Sequence, residues 1–160
     1  MSELLDVDWI KKAAKQNLMN DGHILALVFI ETAKGILVYP TPFADDEEKV
    51  KMLSAAAYIA KQENATNIVF ISEVSCRTVV GKEAADFVRE NYDTERPSAY
   101  PKSMRTEAIF IGHTDCVNNT CDVCLIPYDK CADGYVFGEE ETSVEVDGFL
   151  SNMFLKKPLI

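Results

Sequence analysis

The chain predicts an α+β domain, a mostly antiparallel sheet of five or six strands with two or three helices packed largely on one face. Three observations lead there. Apolar residues recur at helical spacing near the start and again after residue 45, strand-like runs come in pairs, and short turns bearing Gly or Asn join the members of each pair. Hairpins of this kind set sequential strands side by side without crossover helices. The 160 residues suit one domain, 1–160, able to bury roughly 70% of the surface its unfolded chain exposes. No repeat, low-complexity tract or flexible linker divides them.

Over residues 3–20, Leu5, Trp9, Ala13 and Leu18 fall near helical spacing, and Asn20-Asp21-Gly22 supplies a stop, because Gly and Asn tolerate positive φ. His23 to Glu31 is dense in β-branched and aromatic residues. Ala33-Lys34-Gly35 then turns the chain into Ile36 to Tyr39, which completes a hairpin. The run Ile24 to Ile30 is apolar at both parities, so its strand is expected inside the sheet with both faces covered.

Pro40-Thr41-Pro42 ends the second strand. Asp45 and Glu48 then have capping-box spacing, and Val50, Leu53, Ala57 and Ala60 form one stripe of a helix reaching about Gln62. NIVFISEVSC, Asn67 to Cys76, reads as a buried strand that turns polar at Ser72, Glu73 and Ser75. Residues 82–92 read as a short helix, and DTERPSAYPKSMR as a loop punctuated by Pro97 and Pro101. Thr106 to Thr114 and Thr120 to Tyr128 make a second hairpin. Asp133-Gly134 turns into Tyr135-Val136-Phe137, GEEETSVEVDG reads as acidic and exposed, and Gly148 to Leu155 fits a last strand or a short helix.

Sixteen Lys and Arg against 26 Asp and Glu give a net charge of −10. Such a surface repels phosphate backbones and anionic headgroups, which excludes nucleic acid and membrane surfaces as expected partners. The longest apolar run is far too short to cross a bilayer, and MSELLDVDW is acidic where a signal peptide would be basic, so a cytoplasmic location is expected. Five cysteines, an odd number, imply reduced thiols rather than a disulfide framework.

Dinucleotide-binding, P-loop, zincin and nucleophile-elbow motifs are all missing from the sequence. The densest chemistry is HTDCVNNTCDVCLIPYDKC, where Cys116, Cys121, Cys124 and Cys131 fit C-x4-C-x2-C-x6-C. Four thiolates suit zinc or an iron–sulfur cluster. If Thr120 to Tyr128 is a strand, however, Cys121 and Cys124 point to opposite faces and cannot grip one ion. The favoured reading is four thiols acting as small apolar residues, with no cofactor. His113 and Asp115, two apart, share a strand face and could act as an oriented base. Glu73, Arg77 and Arg105 lie near strand ends, where sites commonly form. With His113 they are the candidate binding residues, the arginines serving as anion anchors.

DWIKKAA, DGH, VFISEV and PSAYPKSMRTEAI together resemble segments of a family of small uncharacterised prokaryotic and phage-associated proteins of unknown function. The resemblance covers the larger part of the chain. It implies a compact cytoplasmic α+β domain with the PSAYPKSMR loop and the VFISEV strand as recurring features. The cysteine-rich hairpin is not part of that pattern, and no catalytic role carries over.

The sequence contains no convergent set of nucleophile, base and oxyanion donors, so the first expectation is a non-enzymatic domain that binds a partner protein or self-associates. A small enzyme or ligand-binding protein using Glu73, Arg77, Arg105 and His113 is the alternative. A zinc or iron–sulfur hairpin at Cys116 to Cys131 is the third.

Overall fold

The computed structural model describes residues 5–43, 45–77, 86, 105–144 and 149–155. In chain order they form α1 (Val7–Asp21), β1 (Leu27–Thr32), β2 (Gly35–Pro40), α2 (Asp46–Gln62), β3 (Asn67–Arg77), β4 (Arg105–Asp115), β5 (Thr120–Cys131), β6 (Gly134–Phe137), β7 (Glu141–Val144) and α3 (Phe149–Phe154). The strands build one seven-stranded sheet in the order β2-β1-β3-β4-β5-β6, with β7 also on β5, and every pairing is antiparallel. The α+β class is the one the sequence predicts, and β7 adds a strand to the expected five or six. The helix expected over 82–92 and the loop after it lie outside the described residues, Asp86 apart.

The helix ends follow local chemistry. Asp6 caps α1 by accepting the Asp8 and Trp9 N–H groups, and Gly22, at φ 77°, closes it by donating to the Leu18 carbonyl. Asp45 accepts the Glu48 N–H at 2.8 Å, half of the capping box expected there. Gly35, at φ 136°, makes the β1–β2 turn.

Side chains alternate across the sheet and feed two cores. Val69, Ile71, Ile109, Ile111 and Ile126 pack beneath Ile10, Ala14 and Leu18 of α1. Val28, Ile30, Ile68 and Phe70 pack beneath Leu53, Ala56, Ala57 and Ala60 of α2 and Leu150 and Phe154 of α3. Of these helices α2 and α3 thus share a face and α1 covers the other, the arrangement that strands apolar at both parities require. Each fully buried Ile or Leu contributes about 1.5–3 kcal/mol of transfer free energy. Where the sequence fits a last strand or a short helix, Phe149–Phe154 is helix α3, whose Leu150 packs where the absent side chain of Gly112 leaves room on β4.

The two edges of the sheet are built differently. β6 and β7 lie end to end along β5, with a one-residue slip between Tyr128↔Phe137 and Leu125↔Glu141. The slip has a cause in Pro127. Its carbonyl accepts the Gly138 N–H at 2.8 Å, so its missing N–H also faces that edge, and the ladder breaks where no donor exists. Glu139, Glu140 and Glu141 crowd the break, and the whole of β7 is exposed.

Candidate functional site

The β3–β4 ladder spreads the backbones of the four candidate binding residues along its length. Arg77 and Arg105 are direct partners at one end of the β3–β4 ladder, whereas His113 pairs with Val69, eight residues further along β4 and roughly 26 Å away at a strand's rise. Glu73 lies between, opposite Ile109.

Glu73 and His113 are also occupied. Glu73 Oε1 accepts the backbone N–H of Ile24, and Oε2 accepts the Tyr128 hydroxyl at 3.4 Å. Burial, reinforced by the negative charge of Glu73, pushes the Tyr128 hydroxyl well above its ordinary pKa, so it is a hydrogen-bond donor at neutral pH. His113 Nε2 meets Asn67 Oδ1 at 2.9 Å. Asp115, its expected companion, turns away and accepts the Val117 and Asn118 N–H groups at 3.0 Å. The backbone and side-chain hydrogen bonds from Asn118 hold the Asp115 carboxyl below its ordinary range.

A network that sequence reasoning missed explains these contacts. Glu31, only 6% exposed, accepts the Leu5 N–H at 2.7 Å, the Thr66 hydroxyl at 2.9 Å and the Asn67 amide at 2.9 Å, and Asn67 in turn meets His113. Leu5 precedes α1 and Ile24 follows it. Glu31 on β1, level with Asn67 of β3, and Glu73, six residues beyond Asn67 on β3, therefore fasten both ends of the helix to the sheet. The fifteen-residue α1 is about 22 Å long, close to the roughly 20 Å that six strand residues span, so the anchors fit its length. The available signal was a lone carboxylate closing the apolar run before Thr32. Its partners Leu5, Thr66 and Asn67 are too distant in sequence for any local pattern to reveal.

The cysteines follow strand geometry. Cys121 lies in the core under α2 and α3, accepting the Thr114 hydroxyl, while Cys124 lies in the core under α1, 3.8 Å from Glu140. Cys131 is exposed, and none of these three or Cys116 is in a disulfide. The sheet separates the two central thiols, and no group of three metal-ligating side chains occurs among the described residues. Burial, then the neighbouring Asp115, pushes the Cys116 thiol up to about 11. Cys116 borders a cleft of about 380 Å³ beyond the end of α2, with an apolar floor of Ile68 and Phe154 and a rim of Lys61, Asn64 and Asn119.

The remaining feature is the β2 edge. Among the described residues nothing pairs with its outer side. The Thr41 N–H donates to Ala26 of β1's approach at 2.8 Å, so by strand alternation Gly35, Leu37 and Tyr39 face β1, while Ile36, Val38 and Pro40 turn their backbone groups outward. Pro40, which has no N–H, sits where none is needed. The Ile36 and Val38 side chains, 39% and 48% exposed, lie on the α1 face of the sheet, because Leu37 and Tyr39 belong to the opposite core.

Lys11 bonds Glu140 at 3.1 Å and Lys15 stacks over Phe137, which directs that flank of α1 toward β6 and β7. Trp9 is 61% exposed and lies well off the stripe of Ile10, Ala14 and Leu18 that packs on the sheet.

Searches against family models, curated proteins and solved structures returned no match. No helix among the described residues is long and apolar enough to cross a membrane.

Proposed function

We propose that this is a non-enzymatic binding domain whose contact surface is the outer edge of β2. The observation that carries the reading is that this edge, unpaired among the described residues, carries no charge. Natural sheets guard exposed edges with charge, proline, bulges or very short strands, since an open ladder invites pairing. The β6–β7 edge has charge, a slip and two four-residue strands. The β2 edge, Gly35–Pro40, has a proline only at its last residue, and with the following TPF it makes nine residues without a charge in a chain that is 26% charged.

Polar groups among the described residues support the same view. Glu31, Glu73, Asn67 and His113 are engaged in holding α1 to the sheet. The Cys116 thiol stays protonated near neutral pH.

The test is affinity capture from native-host extract with the wild type, Val38→Lys and Val144→Lys, followed by purification of any specific partner and direct titration. Val38→Lys should lose the contact and Val144→Lys, on the guarded edge, should keep it. A purified partner bound equally by all three would overturn the reading.

A further inference from the structure

We infer that the occupant of this edge is a second copy of the same chain, joined β2 to β2 about a two-fold axis. This rests on the proposed binding role of the edge and names its partner. The first argument is self-complementarity. Antiparallel pairing centred on Leu37 sets Ile36 opposite Val38 of the other copy, and Val38 opposite its Ile36. Both residues direct their N–H and C=O outward, so every such group of both residues finds a partner in that register. Shifting the centre to Val38 sets Ile36 against Pro40, which has no N–H to give, and leaves the Ile36 carbonyl without a donor.

The side chains agree with the backbone. A two-fold axis perpendicular to the sheet keeps faces together, so α1 of both copies lies on one side. The Ile36 and Val38 side chains then meet as cross-strand apolar pairs, and Leu37 meets Leu37 on the other side. The contact is isologous and therefore closes. Among the described residues each copy offers one uncharged edge, so pairing stops at two and leaves the charged, bulged β6–β7 edges outermost.

Charge selects the same surface. Two copies of net charge −10 repel over most of their area, and the uncharged run from Gly35 to Phe43 is where they can approach without setting carboxylates together. The dimer should therefore tighten as salt is added, since screening weakens the remote repulsion and leaves apolar and backbone contacts intact.

Sedimentation velocity of the pure chain between about 1 and 200 μM tests this. The expected result is a monomer–dimer equilibrium. Val38→Lys and Ile36→Lys should both be folded monomers, and Val144→Lys should dimerise as the wild type does. A monomer throughout the range would overturn the self-pairing. So would a dimer that survives both β2 variants or that is lost in Val144→Lys. If the chain is monomeric while Val38→Lys still abolishes a purified partner's binding, the edge keeps its binding role and only its occupant changes.

Discussion

Replacing Gly112 by Ala is the most exacting test of how α3 sits on the sheet. Gly112 is buried in β4 beneath Leu150, itself 2% exposed. A Cβ built there would strike Leu150 Cδ1 and stand 3.3 Å from Phe110 Cε1. In a strand with open space, Gly→Ala would gain up to about 1 kcal/mol by lowering the entropy of the unfolded chain. The close approach of Leu150 reverses that sign. Overpacking of this kind costs about 1–3 kcal/mol, or a Tm lower by roughly 4–8 °C for a change near 2 kcal/mol in a domain of this size.

Leu150→Ala alone should cost about 2–5 kcal/mol through the cavity it opens. In that background the methyl of Gly112→Ala has space to occupy, so the same substitution becomes neutral or stabilising. The assay is a double-mutant cycle by urea denaturation, which should show a coupling of about 1–2 kcal/mol. Equal destabilisation by Gly112→Ala in both backgrounds would show that Leu150 does not pack on this glycine.

Three further outcomes follow from the anchors, the turn and the thiols. Glu31→Gln turns one acceptor oxygen into a donor that faces the Leu5, Thr66 and Asn67 donors, so it should cost about 1–3 kcal/mol and speed amide exchange at Leu5; unchanged exchange there would remove Glu31 as the anchor. Asp115 has a carboxyl pKa held below its ordinary 3.8, so its turn contributes fully above that pH and loses its contribution as pH falls through the folded value. The stability gap between wild type and Asp115→Asn, measured from pH 6 to pH 2.5, should shrink at the acid end, and a constant gap would contradict the assignment. Among the four described thiols, iodoacetamide mapping at pH 7.5 should label exposed Cys131 first, with Cys116 lagging until the pH approaches about 11, and Cys121 and Cys124 should react only on unfolding. Fast labelling of Cys121 in the native protein would contradict its place in the core.

Local chemistry was legible where a few neighbouring residues decide the outcome. Gly22 stops α1, Asp45 caps α2 and Gly35 turns the first hairpin, each as expected from spacing. Strand parity also told correctly that Cys121 and Cys124 face apart. The distribution of helices over the two faces was harder, because strands apolar at both parities state that both faces are covered but not by which helix. β7 escaped as a strand since all four of its residues are exposed and its pairing depends on a slip at Pro127 in another strand.

The candidate site was legible only in part. Glu73 and His113 stood out as polar residues in apolar strands, and both make buried or half-buried hydrogen bonds. What they hold was not visible, because Ile24 and Asn67 lie 49 and 46 residues away in the chain. The openness of the β2 edge is likewise a property of strand order, which hydrophobic patterning does not encode.

Amide hydrogen exchange resolved to single residues along β2 addresses the binding surface most directly. Gly35, Leu37 and Tyr39 face β1 and should be protected in both the dissociated and the assembled protein. Ile36 and Val38 face outward, and the account predicts rapid exchange for both in the dissociated chain and strong protection of both on assembly. Ile36 and Val38 amides that exchange as fast in the assembled state as in the dissociated one would contradict it.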